Sequence, residues 1–456
     1  MNKQSDSNRN SNDFNRRKFF KVGASAVAAG ALGMPMKVAG SMINQETEMP
    51  KIKDFRVLGR TGFKVSDISM GGTRVTDSSV VRYAYDHGVN YFDTAEGYGN
   101  GNAEKCIGDN MSVMERSKIF ITTKLHLNDD ESEQSILDRF EKCIQRLNTE
   151  YVDCLYMHNP PSVEALNHAG FHAATKKLIS EKRLRFIGLS SHGPRSDKDT
   201  MESVLTAAAE DGRFDVMLMV YNYLNREAGE KVLAACKKNN VGTTAMKISP
   251  RFVKIDPYDP DNPTPAQKRN LDRMMQRGRS KEEAEKSLLD GMKEQEKTLK
   301  EYKPLFDKYG VKTEDDLYKA TIQWVLQNPD MHTVCMSFSD FDLIDKVIPL
   351  SGTKMSNNTI DLLNRYGQMI NNQYCRHSCI ECKQSCPENL PVSTIMRYAY
   401  YYLQGQEKTA MNKYNRLGDL NATPCHGCDA PCLKACPYKL NVQANLVQAH
   451  SMLTLA

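Results

Sequence analysis

The stretch Asn90-Tyr-Phe-Asp-Thr-Ala-Glu-Gly-Tyr98-Gly joins a short apolar run to a polar turn. The apolar residues favour a buried β-strand, and Asp93 stands where that strand would end. The same plan recurs along the chain, where apolar runs of strand length alternate with stretches of helical periodicity. The eight runs are Asp67–Gly71, Asn90–Asp93, Ile119–Lys124, Cys154–His158, Phe186–Ser190, Val216–Tyr221, Gly242–Lys247 and Thr333–Ser337.

This alternation predicts an α/β fold, a (β/α)8 barrel of the TIM type. In such a barrel the chemistry is done where strands end and loops begin, and polar residues collect at these ends. They are Asp93, Lys124, His158, Ser190, Asn222 and Lys247. An open, doubly wound sheet is the competing architecture, but no G-x-G-x-x-G turn follows the first strand.

An enlarged connection, residues 251–319, separates the seventh run from the eighth. It opens with prolines among acidic residues and continues as a charged helical stretch. A solvated charged face is one interpretation, and a lid over the barrel is the other. We assign the whole barrel, including this connection, to residues 51–355.

The positive charge of the chain is concentrated at its amino end. The first forty residues hold seven Lys or Arg and two Asp, which accounts for the whole formal charge of +5. The neutral remainder argues against a nucleic-acid-binding protein.

The basic segment Asn15-Arg-Arg-Lys-Phe-Phe-Lys21 precedes an apolar, small-residue stretch, Val22–Gly33. This layout resembles a twin-arginine export signal and is too short to span a membrane. It predicts a signal peptide over residues 1–40, the twin-arginine export machinery as a partner, and a periplasmic or membrane-associated protein. The alternative is an ordinary basic terminus with a chance Arg-Arg pair.

Several segments resemble the aldo-keto reductases. They are Asn90 to Gly99, Thr122-Thr-Lys124 and Tyr156-Met-His158, together with Leu58-Gly-Arg-Thr-Gly-Phe-Lys-Val-Ser66, which is similar to that family's N-terminal hairpin. The resemblance covers residues 54–350 and implies a catalytic tetrad. Its members would be Asp93, Tyr98, Lys124 and His158.

The residue types of this tetrad suit the reduction of a carbonyl group. Tyr98 would give a proton to the carbonyl oxygen, although a tyrosine with its ordinary pKa of about 10 is a weak acid. Lys124 would lower that pKa, and Asp93 would hold Lys124 in place. His158 would orient the carbonyl oxygen. The resemblance thus implies an NAD(P)-dependent oxidoreductase acting on a small-molecule carbonyl or alcohol.

The resemblance also places NAD(P)H at the ends of the later strands. The implied contacts are Ser190, Ser191, Tyr221, Asn222, Lys247 and Ser337. The sequence departs from the family pattern in two places, since Ser191 stands where an asparagine is usual and Leu218 where a glutamine is usual. Beyond the eighth run, Asp340 and Asp342 would repel the 2′-phosphate of NADP.

Eight of the 13 cysteines form two tight groups near the carboxyl end, and each group ends in Cys-Pro. This resembles the two-cluster bacterial ferredoxins and implies one or two [4Fe–4S] clusters in a helical ferredoxin-type domain over residues 360–456. By that pattern one cluster would take Cys375, Cys379, Cys382 and Cys436, and the other Cys425, Cys428, Cys432 and Cys386. Each group has one gap of three residues where the pattern has two, so the partition stays open. Zinc and disulfides are the alternatives.

A barrel joined to such a tail is similar to the iron–sulfur-containing aldo-keto reductases. The first hypothesis is an oxidoreductase that couples hydride chemistry to cluster electron transfer, with a redox partner protein. The second is a non-catalytic electron-carrier or scaffold subunit, motivated by Ser191 and Leu218. Between the cysteine groups, Arg397-Tyr-Ala-Tyr-Tyr-Tyr402 is interpreted as packing.

Overall fold

The computed structural model describes residues 49–194, 198–249, 260–261, 263, 265–276, 278–403 and 406–454. Residues 49–456 form one compact unit. The predicted signal peptide and residues 250–259 of the proline-rich stretch lie outside the described ranges. Within those ranges, no helix has both the length and the apolar character needed to cross a bilayer.

Eight parallel strands close into a barrel, and an antiparallel hairpin precedes them. The hairpin strands are β1 (Phe55–Val57) and β2 (Lys64–Ser66), and the barrel strands are β3 (Ile68–Gly71), β4 (Tyr91–Asp93), β5 (Phe120–Leu125), β6 (Val152–His158), β7 (Leu184–Ser191), β8 (Val216–Val220), β9 (Gly242–Met246) and β10 (Thr333–Met336). Each predicted run coincides with a barrel strand to within two residues at either end. The predicted barrel is therefore confirmed.

Helices alternate with the barrel strands, and more helices follow the last strand. They are α1 (Ser78–Asp86), α2 (Asn102–Gly108), α3 (Glu133–Leu147), α4 (Ala169–Ser180), α5 (Met201–Asp211), α6 (Arg226–Lys238), α7 (Pro265–Gln276), α8 (Lys281–Tyr309), α9 (Glu314–Leu326), α10 (Phe341–Val347), α11 (Asn357–Met369), α12 (Glu381–Gln384), α13 (Val392–Leu403), α14 (Glu407–Asn415), α15 (Pro431–Ala435) and α16 (Val442–Leu453).

Aromatic side chains fill the barrel interior, because alternate strand residues point inward. The rings of Tyr91 and Phe120 stack with centroids 5.4 Å apart, and the Tyr91 and Tyr156 hydroxyls share a hydrogen bond of 2.8 Å. The hairpin plugs the amino end, where a Cβ on Gly242 would lie 2.7 Å from Leu58 Cγ. The described hairpin therefore obstructs access from the amino end of the strands.

The long connection between β9 and β10 carries α7, α8 and α9. Ser280 caps α8 and forms a reciprocal capping box with Glu283, and the first turns of the helix are largely exposed. Further along, the rings of Tyr302 and Phe306 pack against Tyr366 of α11, at 5.7 and 5.9 Å. The charged helix is thus solvated at its start and anchored at its end.

The last helices surround a hydrophobic core of their own, and residues 374–454 are called the C-terminal module. In it α13 packs against α14 and α16, with Ile395, Tyr398 and Leu446 among the buried residues. Cysteines line the same core, including the buried Cys382 and Cys432. Cysteines in that position are available to bind a cofactor inside the module.

Candidate active site

The four residues of the predicted tetrad converge at the carboxyl end of the barrel. Asp93 ends β4, Lys124 lies in β5, and His158 ends β6. Tyr98 follows β4 at the start of a short 3-10 turn, Tyr98–Gly101. Because parallel neighbours end on the same side of a barrel, these side chains share one mouth.

Lys124 is held at the floor of this mouth by Asp93 and by the backbone. Its Nζ donates to Asp93 Oδ1 at 2.5 Å and to the carbonyl oxygen of Thr94 at 2.6 Å. Thr122 Oγ1 donates to the other carboxylate oxygen at 2.7 Å. The Lys124 and Asp93 side chains are 0% and 3% exposed. A buried ion pair with these additional hydrogen bonds has a fixed geometry, so Lys124 is a fixed positive charge.

The pKa of Tyr98 shifts in the direction opposite to the one that the sequence suggests. Lys124 Nζ lies 5.0 Å from the centre of the Tyr98 ring. Burial nevertheless raises the pKa of Tyr98 well above 10, and Asp93 and Cys335 raise it further. The predicted lowering by Lys124 is wrong because burial is the largest influence on this pKa and raises it. The raised pKa keeps Tyr98 protonated but makes its phenol a weaker acid than an ordinary tyrosine.

His158 lies beside Tyr98 and is backed by a second histidine. The Tyr98 and His158 rings meet edge to face at 5.9 Å, and His126 stacks on His158 at 3.8 Å. Burial lowers the pKa of His158 well below 6.5, and the neighbouring His126 and Lys124 lower it further. The ring is therefore neutral at pH 7, with one N–H to donate. Sequence reasoning missed His126, which directly follows β5 and lies two residues after Lys124.

The two serines predicted to bind the cofactor point to opposite sides of β7, as successive strand residues do. Ser190 pairs with His158 in the strand register and is 2% exposed. Its hydroxyl has no hydrogen-bond partner among the described residues. Ser191 Oγ instead accepts from the Gly193 amide at 3.2 Å. Only Ser190 presents an unused polar atom to the mouth.

Tyr221 points away from the mouth, into the layer between the barrel and its helices. Its ring lies 4.9 Å from Trp324 on α9, and its hydroxyl accepts from Asn328 Nδ2 at 2.8 Å. A Cβ on Gly229 of α6 would lie 2.4 Å from the same ring. This side chain is fully used in packing.

Asn222 and Ser337 are also engaged by the protein. Asn222 Nδ2 donates to the carbonyl oxygen of Lys247 at 2.9 Å and to the Tyr374 hydroxyl at 3.4 Å. Ser337 Oγ shares a hydrogen bond of 2.7 Å with Thr73 Oγ1. Tyr374 belongs to the C-terminal module, so the module reaches the end of β8.

The C-terminal module also lies on the loop that follows β7. A Cβ on Gly193 would lie 2.1 Å from Ser378 Cβ, and Ser378 Oγ accepts from the Met201 amide at 3.0 Å. Arg397 Nη1 donates to the His192 carbonyl oxygen at 3.2 Å and to its ring Nδ1 at 2.9 Å. The module therefore contacts this strand end through backbone and side chains.

At the end of β9, helix α13 of the module, which also carries Arg397, supplies two tyrosines. The Tyr400 hydroxyl donates to the Ser249 carbonyl oxygen at 3.1 Å. The Tyr401 hydroxyl is hydrogen-bonded to Lys247 Nζ, which lies 4.4 Å from the centre of its ring. The interpretation of Arg397–Tyr402 as packing is incomplete, because Arg397 and Tyr401 bring polar groups to the mouth.

In the described arrangement, several residues implied as nicotinamide contacts are engaged by the protein itself. Ser191, Tyr221 and Asn222 are used elsewhere, and the module covers the loops after β7, β8 and β9. Asp340 adds an acidic side chain, since its Oδ1 accepts from the Leu343 amide and caps α10. Its negative charge would repel a phosphate there.

All thirteen cysteines lie within the described ranges, and none forms a disulfide. Burial raises the pKa of the Cys375 thiol, and Cys379, Cys382 and Cys436 raise it further. Burial likewise raises the pKa of Cys425 to about 11, with contributions from Cys386, Cys432 and Cys428. Each set joins three cysteines of one sequence group with the last cysteine of the other. These neighbours agree with the two sets that the ferredoxin pattern implies, and Cys432 also contributes to the pKa of Cys382 in the other set.

The described residues contain no group of three or more His, Cys, Asp or Glu side chains arranged to hold a single metal ion. A [4Fe–4S] cluster needs a different arrangement of thiolates from a single metal ion, because each thiolate binds a different iron atom of the cluster. The thiolates lie farther apart than the ligands of one ion.

Comparisons with known proteins agree with this barrel. Curated relatives include "Probable aldo-keto reductase 1" of Glycine max (27% identical over 205 residues, 41% of this chain and 56% of the relative). Others are a "Putative voltage-gated potassium channel subunit beta" of Schizosaccharomyces pombe (35% over 209 residues, 40% and 58%) and a "D-threo-aldose 1-dehydrogenase" of a Pseudomonas species (26% over 200 residues, 37% and 58%). The chain thus spans little more than half the length of these relatives.

Among solved structures, the chain is similar to the aldo-keto reductase AKR11C1 from Bacillus halodurans in its holo form. It is 18% identical, with a TM-score of 0.48, and the match covers 69% of this chain and 96% of that one. The model of the aldo/keto reductase family matches residues 70–366, from the first barrel strand into α11. With most of the chain matched in this way, and with an eight-stranded parallel barrel to carry the match, the protein belongs to the aldo/keto reductase family.

Proposed function

We propose that this protein is an oxidoreductase of the aldo-keto reductase type that interconverts a carbonyl and an alcohol on a small molecule. The observation that carries the proposal is the pairing of a protonated Tyr98 with a neutral His158 above the buried Lys124–Asp93 pair. The test is whether Tyr98→Phe loses carbonyl reduction.

The proposed chemistry follows from the states of these side chains. As a substrate carbonyl is reduced, its oxygen gains negative charge. The neutral His158 donates a hydrogen bond to that oxygen, and Tyr98 transfers its phenolic proton to it. Lys124 stabilises the phenolate that remains on Tyr98, because Asp93 holds the ammonium in place. Oxidation of an alcohol returns the same proton to Tyr98.

Members of the family use NAD(P)H, and membership is consistent with that cofactor. Of the six contacts implied by the resemblance, however, only Ser190 and Lys247 bring polar atoms to the mouth. We propose instead that electrons reach this site through the C-terminal module, which lies directly on it.

We propose two [4Fe–4S] clusters in the module, in a ferredoxin-type arrangement. Their ligands would be Cys375, Cys379, Cys382 and Cys436 for one, and Cys386, Cys425, Cys428 and Cys432 for the other. When bound, each cluster would supply or accept one electron, so two clusters would provide the electron pair of a carbonyl–alcohol interconversion. Tyr98 would exchange the proton on the oxygen, and the carbon atom would exchange its proton with solvent. The proposal is supported by the two crossed sets of thiols inside the module core.

We also propose that the protein is exported by the twin-arginine route to the periplasm or the membrane surface. The support is the Arg16–Arg17 pair before Val22–Gly33. Cell fractionation should find the wild-type protein outside the cytoplasm. The Arg16→Lys/Arg17→Lys variant should remain inside the cytoplasm, because the export signal is lost. An exclusively cytoplasmic wild-type protein would contradict the proposal.

A non-catalytic carrier or scaffold subunit is the second candidate. It is favoured by Ser191 and Leu218, which replace residues that the family uses for its cofactor. One of the relatives is described as a potassium channel β subunit, so a role as a subunit is compatible with this family. In that case the barrel would hold the clusters for a partner protein, and Tyr98 would be dispensable.

A further inference from the structure

Positive side chains from the barrel and from the C-terminal module meet above Tyr98. Lys247 follows β9, Arg397 lies on α13 and Lys413 on α14. Together with His192 they are called the cationic mouth site. We propose that this site binds a carboxylate or phosphate group of the substrate, an inference that rests on the proposed function and narrows its substrate class.

Arg397 is the first residue whose surroundings favour the binding of an anion. Its side chain is buried, with the residue 8% exposed, and its described partner is His192, through a carbonyl oxygen and a ring nitrogen. Its Nε has no hydrogen-bond partner among the described residues. Burying a guanidinium whose described partners are neutral destabilises the folded protein, unless an anion accepts its remaining hydrogen bonds.

Lys247 is the second such residue. Its backbone adopts φ +52°, a left-handed conformation that is unusual for lysine. Asn222 binds its carbonyl oxygen, and its ammonium is hydrogen-bonded to the Tyr401 hydroxyl group. Burial lowers the pKa of Lys247, and the charge of Arg397 adds to that effect. The fold thus holds two cations near each other.

Several of the described groups that face this site are positive. Apart from burial, the strongest electrostatic influences on His192 are Arg397, Lys247 and other histidines. Burial would raise the pKa of Tyr401, but Lys247, Arg397 and Lys413 outweigh it and lower that pKa. The carboxylate of Asp93 at this mouth already forms an ion pair with Lys124. An anionic group would therefore be strongly favoured here.

The position of the site favours the substrate as the source of this anion. Tyr98, His158, Lys247 and Tyr401 all keep part of their surface accessible beneath the module. The buried Ser190 hydroxyl beside His158 adds an unused donor. A dinucleotide phosphate has the same chemistry, but the strand ends that would hold the rest of it are covered. An acidic carbonyl compound places its charge on Arg397 and Lys247 and its carbonyl at Tyr98.

The test is equilibrium binding to the full-length protein, purified anaerobically and followed by calorimetry. The probes are inorganic phosphate, malonate and, separately, NADP⁺. The wild type should bind phosphate or malonate at one site per chain, and Arg397→Gln and Lys247→Met should each weaken that binding at least about tenfold. Arg397→Lys should retain most of it. Lys238→Met, which removes an exposed lysine at the end of α6, should bind like the wild type.

The proposal fails if neither small anion binds, or if Arg397→Gln and Lys247→Met bind them as the wild type does. It also fails if NADP⁺ alone binds and the two variants lose only that binding, because the charges would then serve the dinucleotide. Tyr98→Phe should bind the anions normally. A failure of the proposed Tyr98 chemistry is thus distinguishable from a failure of the anion site. Melting temperatures of the variants without ligand show whether they are folded.

Discussion

The Tyr98→Phe variant is expected to lose carbonyl reduction by about a thousandfold, the usual size of a lost general acid. The substitution keeps the ring, so its edge-to-face contact with His158 and its place near Lys124 remain. Only the proton that the substrate oxygen receives is removed. The fold and the cluster content should be unchanged.

The assay uses a panel of aldehydes, ketones and aldoses, with acidic members included. Reduced methyl viologen is the electron donor in one series and NADPH in another. Tyr83→Phe is the matched control. It removes the phenolic hydroxyl of an α1 residue whose exposed hydrogen bond to Asp345 lies outside the tetrad. Wild-type rates in Tyr98→Phe would remove the acid–base role and leave the scaffold alternative.

Substitutions of single cysteines should each remove one of two clusters. Cys436→Ser and Cys386→Ser are expected to lower the iron content from about eight to about four atoms per chain. Cys236→Ser, a buried cysteine of α6 outside the module, should keep all the iron. Zinc in place of iron, or disulfides in the isolated protein, would contradict the cluster proposal.

Double variants decide how the cysteines are shared. If Cys375 and Cys436 hold the same cluster, the variant lacking both keeps about four iron atoms, while the variant lacking Cys375 and Cys386 loses both clusters. If each cluster is built within one sequence group, the two results are exchanged. The crossed sets in the structure predict the first result.

The sequence was sufficient to place the barrel strands and the tetrad, because both depend on local pattern. Apolar runs define the strands, and parallel strands must end on one side, so Asp93, Lys124 and His158 had to meet. His126 could have been found from its spacing to Lys124. A strand's alternation also separates Ser190 from Ser191, which the family resemblance had treated alike.

Contacts between distant segments could not be predicted in this way. Nothing near Lys247 in the sequence indicates Tyr401, which is brought to it by the packing of the C-terminal module. The pKa of Tyr98 depends on its burial and on the nearby Asp93, Cys335 and Tyr401, of which Tyr401 comes from the C-terminal module. The covering of the strand ends is likewise a property of the assembled chain.

The most direct measurement is the visible absorption of the full-length protein, purified without oxygen, during stepwise addition of dithionite and, in a second sample, of NADPH. The account predicts a broad iron–sulfur band from two clusters, bleached by dithionite and unchanged by NADPH, since the module covers the strand ends. A colourless protein would contradict the clusters. A band that NADPH bleaches at once would contradict the claim that the module blocks the nicotinamide site. NADPH, the usual electron donor of the family, would then be the donor here.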